Sequence, residues 1–357
     1  MKKHFSKATP ISVILNLILI INVIIVVYPV LFTISSSLTK SNSLAATSVI
    51  PFTEQTDKST VEMCEACDGK GYRYIDVKSS YKENGKTKTY IGQKLVDCNV
   101  CHGEGEVAVL HTSFKIKKPS LYQFRRLLTG SEQIVKGETT VHGTNYKNWY
   151  LNTLKIAIMN TILTVFICTT TGYIFSRFSF TGRKQIMAGM IVLQMFPSFI
   201  GMVATYVILW KFNALNTLWG LVLVYASGSI PFNAQLMKGY FDTMPRDIAE
   251  AAYIDGASPL VAYLRVILPA AKPQIVFLTL TSFTGPWMDY IFPRMVLRSD
   301  DKKTLAVGLY EMISGRSNDN FTMFAAGAIL VAVPFTIFFM AGQRTLLMSL
   351  AGTSGKE

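Results

Sequence analysis

Charge is scarce in this chain: only 16% of its 357 residues are Asp, Glu, Lys or Arg, while 50% are hydrophobic. An ordinary soluble domain carries more charge, so the balance points to a membrane protein. A phosphate-cradling loop of the form G-x-x-x-x-G-K-[ST] is missing altogether, which leaves the chain without a recognisable nucleotide site of its own. Acidic residues are the scarcer charged class, 22 against 35 basic ones, for a formal net charge of +13. No motif accompanies that excess to suggest nucleic acid, and it reads as membrane topology and attraction to an anionic leaflet. Cysteine is rare outside one segment: four of the five fall between residues 64 and 101, and Cys168 stands alone as a small packing residue.

Long apolar runs are what the chain has in quantity. A helix needs roughly 20 apolar residues to cross a bilayer core, and six stretches approach that length: about 11–33, 151–175, 185–209, 216–236, 267–290 and 323–343. The first follows MKKHFSK, but its apolar run is too long for a signal-peptide core and Ala45-Ala46 is a poor cleavage site, so it is expected to remain as an anchor. The expected fold class is an all-α integral membrane protein with six transmembrane helices and both termini on one side. Basic residues in short connections resist translocation. Lys2, Lys3, Lys7, Arg177, Arg183, Lys184, Lys238, Arg246, Arg265, Lys272, Arg344 and Lys356 place the termini and the loop between spans four and five in the cytosol. The expected layout is a cytosolic N-terminus and first span over 1–35, an extracytoplasmic loop over 36–148, a membrane core over 149–347 with a cytosolic loop at 240–269, and a cytosolic tail over 348–357.

That cytosolic loop contains EAAYIDGASPLVAYLRVILP, residues 250–269. Pro245 suits a first helical turn, Thr243 can cap it, and Asp247 and Glu250 put carboxylates where the helix dipole favours them. Gly256 breaks the helix, Ser258 and Pro259 start another, and Pro269 interrupts that one. Ala249, Ala251, Ala252 and Ala257 leave little side-chain bulk, so another surface can approach closely. An amphipathic connector lying on the leaflet is the plainer reading of such a segment.

EAA, DGA, ILP and Pro273, together with YIFSRFSFTGR, NTLWGLVLVYA, TLAVGLYEMISG and FAAGAILVAVPFTIFFMAGQRTLL, resemble the permease subunits of ATP-binding-cassette importers, nearest the carbohydrate (maltose-type) branch. The resemblance covers about 117–357 well and 1–40 loosely. It implies the type I importer permease fold in the cell (inner) membrane and a short coupling helix seated in a cleft of the ATPase. It also implies roles in ATPase coupling for Glu250, Ala251, Ala252, Asp255, Gly256, Ile267, Leu268 and Pro269, with Glu250 pairing a basic group and Gly256 setting the bend. The implied partners are a second permease subunit, a cytosolic ATPase dimer that alone binds ATP, an extracytoplasmic sugar-binding receptor and the lipid bilayer. The chain would be no enzyme itself. It would form half of a translocation pathway for maltose- or maltodextrin-like oligosaccharides, with another sugar such as galacto-oligosaccharides, or glycerol phosphate, as alternatives.

For a substrate pathway, SFTGPWMDYIFP in span five offers a Gly285-Pro286 break with Trp287, Asp289 and Tyr290, a stacking ring beside hydrogen-bonding groups. Aromatic residues at that depth also form interfacial belts. Gln194 and Pro197 in QMFPSF are equivalent candidates in span three.

Relatives in the resembled family join spans one and two by a short connection, whereas here about 60 extra residues lie between Pro51 and His111. They carry CEACDGKG and CNVCHGEG, two C-x-x-C-x-G-x-G knuckles that resemble half of the cysteine-rich domain of J-protein chaperones. The spacing suits four thiolates, Cys64, Cys67, Cys98 and Cys101, around a structural Zn2+, with two disulfides as the alternative outside the cell. The sequence between the knuckles alternates like a β-hairpin turning at Asn84-Gly85. A small extracytoplasmic β-hairpin zinc module over about 53–111 is therefore expected, either a docking element or an ornament. A membrane-anchored zinc module that binds proteins is the rival function, but it has no use for EAA, DGA and ILP.

Overall fold

The computed structural model describes residues 10–41, 48, 50–64, 66–68, 70, 72–83, 86–102, 104, 106–135, 138–142, 144–314 and 320–353. The chain divides into two compact units, one of residues 45–119 and one formed by everything else.

The larger unit is helical. Helix α1 (Pro10–Ser37) exposes every described side chain from Ile14 to Leu31, almost all of them aliphatic. A helix apolar on all sides belongs in lipid. It lies along α13 (Phe321–Thr353), where Phe32 and Phe321 approach with ring centroids 6.3 Å apart. Between them run α2 (Tyr122–Thr129), α3 (Tyr146–Arg177), α4 (Arg183–Met195), α5 (Ser198–Lys211) and α6 (Leu218–Thr243). The short α7 (Asp247–Ile254) and α8 (Pro259–Ala262) follow, then a π-helical turn over Tyr263–Ile267 and α9 (Leu268–Ala270). Helices α10 (Lys272–Met288), α11 (Ile291–Val296) and α12 (Leu305–Ile313) complete the unit.

Among the described residues, α1, α3 and α13 are long and apolar enough to cross a membrane, and there are five such spans if each of two bent pairs counts as one. The pairs are α4 with α5, meeting at Pro197, and α8–α9 with α10, bent by 79° at Ala271. The remaining expected span is α6, about 39 Å long at 1.5 Å per residue. Ser227, Ser229, Asn233 and Gln235 lower its hydropathy.

Helices α3 and α6 form the central contact of this unit. They meet where Gly172 leaves no room for a side chain: a Cβ there would lie 2.6 Å from Met237 Cβ and 2.9 Å from the Lys238 backbone nitrogen. Cys168, Tyr173, Met237, Phe241, Ala249, Tyr263, Ile267, Ala271 and Leu278 pack into one buried cluster around that contact.

Two local expectations change. Gly285-Pro286 does not break its helix, since α10 continues through both residues to Met288. The carbonyl that Pro286 leaves without a donor, Ser282 O, accepts instead from Asn160 Nδ2 of α3 at 2.8 Å. Thr243 does not cap α7 but ends α6, turning its hydroxyl back to Tyr240 O at 2.7 Å, and Arg246 takes the N-cap position.

The smaller unit is built of two antiparallel ladders. Strands β1 (Thr53–Met63) and β4 (Glu106–Ile116) pair from Thr53↔Ile116 to Met63↔Glu106 as a stem. Strands β2 (Tyr72–Glu83) and β3 (Lys86–Asp97) pair from Tyr72↔Asp97 to Glu83↔Lys86. The Asn84-Gly85 turn lies outside the described residues. A third hairpin, β5 (Ser131–Val135) with β6 (Glu138–His142), belongs to the larger unit. Its short polar strands carry no alternation strong enough to announce it in the sequence.

Within the larger unit, the segments before residue 45 and after residue 119 are held together. Ser120 N donates to Leu38 O, and Gln123 Nε2 to Lys40 O and Ser41 O, each at 3.0 Å.

Candidate functional site

The loop between α6 and α10 is shaped by residues that each have a backbone reason to be there. Asp247 and Glu250 occupy the first turn of α7, beside unpaired N–H groups and the positive end of the dipole. The helix closes when Gly256, at φ +83°, lets Ala257 N reach Ala252 O (2.9 Å) and Gly256 N reach Tyr253 O (3.0 Å). That pair of bonds is a Schellman ending, in which a left-handed residue satisfies the last carbonyls. Ser258 Oγ then accepts from Val261 N at 3.4 Å and Pro259 takes the first position of α8. Pro269 has no N–H for Arg265 O and its ring crowds that carbonyl, and the π-helical turn over Tyr263–Ile267 lies immediately upstream.

The loop has an inner and an outer face. Ala249, Ala252 and Ile267 are buried and Leu268 is half-buried, whereas Glu250, Ala251, Asp255, Gly256 and Pro269 are exposed. Ile254 is 87% exposed and Leu260 65%. Sequence reasoning missed Ile254, although its signal was available: an aliphatic residue off the face that Ala249 and Ala252 share. The exposed side of the loop thus brings the carboxylates of Glu250 and Asp255 together with the small Ala251 and the aliphatic Ile254.

A cavity of about 320 Å³ lies between α3, α6 and α10, lined by Asn160, Tyr225, Ser229, Phe232, Asn233, Phe277, Thr281, Ser282, Gly285 and Pro286. Its polar groups are linked: Thr164 Oγ1 donates to Asn160 Oδ1 at 3.3 Å and sits 3.2 Å from Ser229 Oγ. Tyr225 OH donates to Asp289 Oδ2 at 2.8 Å, while Asp289 Oδ1 accepts from Phe292 N at 3.3 Å and so starts α11. Hydroxyls, amides and aromatic faces line the space, and no Lys or Arg is among the lining residues.

Of the pathway residues expected from sequence, Asp289 reaches this cavity through Tyr225. Trp287 is buried against Tyr150 and Phe335, ring centroids 5.2 Å from each, and Tyr290 packs on Tyr310 with centroids 4.3 Å apart and the rings tilted by 42°. Gln194, exposed near the end of α4, returns its amide to Met190 O at 3.2 Å, and Pro197 caps α5. The lining residues Asn160, Tyr225, Ser229 and Asn233 were legible only as polar side chains inside apolar runs.

In the smaller unit, Cys64 and Cys67 follow β1 while Cys98 and Cys101 follow β3. All four are buried, and their sulfurs lie within 4.8 Å of one another. Cys64 Sγ is 3.8 Å from Cys98 Sγ, and Cys67 Sγ is 3.7 Å from Cys101 Sγ. A tetrahedron of thiolates with metal–sulfur bonds of about 2.3 Å has edges of about 3.8 Å, so the cluster can hold a metal ion. Hydrogen bonds from the backbone at Cys101 and Val100 hold the Cys98 thiol below its usual range, and burial pushes the Cys64 thiol up. The four cysteines pack on one another as a buried cluster of their own. His102 is exposed and outside the cluster.

With this geometry in view, the chain matches known proteins consistently. Residues 168–346 match the family described as binding-protein-dependent transport system inner membrane component. The maltodextrin transport system permease protein MdxG of Bacillus subtilis is 42% identical over 59% of this chain and 77% of its own. The galactooligosaccharides transport system permease protein GanQ of the same organism is 34% identical over 70% of this chain and 85% of its own. In fold, a chain from the crystal structure of a bacterial ABC transporter involved in the import of the acidic polysaccharide alginate is similar with a TM-score of 0.64 and 17% identity, over 96% of this chain and 99% of that one. The matched segment contains the α7–α9 loop and most of the cavity wall and excludes the four-cysteine unit; on these grounds the chain belongs to the binding-protein-dependent transport system inner membrane components, the permeases of ATP-binding-cassette importers.

Proposed function

We propose that this chain is half of the membrane pathway of a sugar importer that takes up neutral oligosaccharides of the maltodextrin type. It crosses the membrane six times with both termini in the cytosol, beside a second permease subunit. A cytosolic ATPase dimer drives it and an extracytoplasmic receptor delivers the sugar. The observation that carries this reading is the cavity at Asn160, Tyr225, Ser229 and Asn233. It offers neutral donors and acceptors next to aromatic faces, with the Asp289 carboxylate behind Tyr225 and no cation to balance a phosphate. A phosphorylated or acidic substrate would meet uncompensated negative charge there. A neutral polyol would exchange water for hydroxyl and amide partners. The similarity to the maltodextrin and galactooligosaccharide permeases favours the same class.

The α7–α9 loop is the input. Binding of ATP closes the ATPase dimer, and the ridge of Glu250 and Ile254, seated on that dimer, moves with it. Glu250 would pair with a basic group on the ATPase, and the Gly256 bend sets the angle between α7 and α8. The subunit needs two packings of the same helices, and the ATPase selects between them. Cys64, Cys67, Cys98 and Cys101 would hold Zn2+, which supplies a structural cross-link between the two knuckles.

Uptake into liposomes containing the assembled transporter tests the substrate class. A labelled maltooligosaccharide should accumulate with ATP inside and receptor outside. Unlabelled maltooligosaccharide should compete and glycerol 3-phosphate should not. Competition by glycerol 3-phosphate at equal concentration would overturn the neutral-sugar reading.

A further inference from the structure

The coupling loop has two roots, and both rest on the same end of α3. On the entry side Arg177, the last residue of α3, donates from Nη2 to Phe241 O at 3.1 Å and to Met244 O at 2.9 Å. Phe241 O, in the last turn of α6, also accepts from Met244 N at 3.2 Å, Met244 O belongs to the residue that ends the helix, and a guanidinium is shaped to serve two acceptors at once. Ser176 Oγ donates to Asp242 Oδ1 at 2.7 Å, and Asp242 also pairs with Lys238. On the exit side Tyr263 OH donates to Thr169 Oγ1 at 3.1 Å and its ring lies 4.6 Å from that of Tyr173. Gly172, between these contacts, brings α3 against the backbone of α6.

The other relevant point on α3 is Asn160, seventeen residues earlier and so about 25 Å along the helix. It lines the cavity and holds Ser282 O of α10. One continuous helix therefore touches the coupling loop at its C-terminal end and the cavity near its middle.

We propose that Arg177 is the positioning residue that makes α3 move with the coupling loop, so that displacement at Ile254 reaches the cavity wall at Asn160 through a rigid helix. This rests on the reading that the α7–α9 loop receives the ATPase. Arg177 itself faces neither the cavity nor the exposed ridge. Its loss should leave the ATPase bound and hydrolysing while the motion is no longer transmitted.

The experiment uses the complete transporter in liposomes and compares Arg177→Ala, Arg177→Lys and Glu250→Lys. Three quantities are measured: ATPase retained on purification, ATP hydrolysed, and oligosaccharide taken up per ATP. Arg177→Ala should retain the ATPase and hydrolyse within about twofold of the parent, while uptake per ATP falls about tenfold, the scale of one lost charge-assisted hydrogen bond. Arg177→Lys, with one ammonium for two carbonyls, should recover part of that ratio. Parental uptake per ATP in Arg177→Ala would overturn the proposal. So would loss of the ATPase in both Arg177 variants, which would mean that the contact merely holds the loop together. Glu250→Lys separates the two levels: if it leaves docking and uptake intact, the coupling reading itself fails, whereas loss of docking there with normal Arg177→Ala behaviour defeats only the α3 proposal.

Discussion

Gly256 allows backbone conformation to be separated from sterics in the coupling loop. Its φ of +83° is one that L side chains rarely adopt, and a Cβ built there meets nothing within 4 Å. Within this chain any effect of substitution is thus conformational, and an Asn variant controls for contact of a side chain with the docked ATPase. A left-handed conformation costs an ordinary residue about 1–2 kcal/mol, and Asn less because its side chain supports it locally. A penalty of that size reduces the population of the bent loop by a factor of about 5–30. Gly256→Val should therefore lower oligosaccharide uptake per ATP by that factor, Gly256→Ala by less, and Gly256→Asn least of all. The assay is uptake and hydrolysis in liposomes, with circular dichroism to confirm that helix content is retained. Equal behaviour of Val and Asn would refute the argument, because side-chain presence rather than φ would then be responsible. Parental coupling in Gly256→Val would show that the Schellman ending plays no part in transmission.

Other expectations follow from single features. Ile254→Asp should cut the amount of ATPase that co-purifies by about tenfold, since it puts a charge where an 87% exposed aliphatic side chain is expected to be buried by a partner; unchanged recovery would remove Ile254 from the interface. Gly172→Ala must push α3 from α6, with its Cβ 2.9 Å from a backbone nitrogen, and should lower the thermal midpoint of the purified subunit by an amount consistent with about 1–3 kcal/mol of overpacking. The full chain, purified without chelator, should carry about one metal ion per molecule and lose it when Cys64 and Cys98 are both replaced by Ser; a metal-free protein whose unreduced mass is lower by the hydrogens of two disulfides would replace zinc with cross-links. Replacing residues 53–116 by a short flexible linker should leave an assembled complex with basal ATPase activity, because Phe52 and Lys117, which flank the excised segment, already meet, Lys117 N donating to Phe52 O at 3.0 Å; failure to assemble would give the four-cysteine unit a structural part in the transporter.

The elements most legible in the sequence are those whose signal is local. Apolar length alone locates α1, α3 and α13, and Gly256, Ser258 and Pro259 mark a helix end and a helix start that the backbone places at the same residues. Two paired cysteine knuckles likewise announce a cluster, because their spacing and the intervening alternation both depend on near neighbours. What the sequence hides is compensation between distant elements. Gly285-Pro286 reads as a helix break, yet α10 runs on because Asn160, more than a hundred residues earlier, takes the freed carbonyl. Trp287 reads as a sugar-stacking ring, and only packing with Tyr150 and Phe335 reveals it as buried. Thr243 reads as an N-cap until α6 extends through it. The stem strand β4 runs on to Ile116, past the expected module end at 111, because its register is set by pairing with β1.

The central claim is that the α7–α9 loop is where this permease meets its ATPase, and a photo-crosslinking amino acid at position 254 tests it most directly. Illuminated in native membranes, the variant should form one dominant adduct with an ATP-binding-cassette ATPase, and the same probe moved to the buried position of Ala252 should form much less. An adduct only with lipid, or with an extracytoplasmic protein, would contradict the account, because Ile254 would then lie on the leaflet or on the opposite side of the membrane.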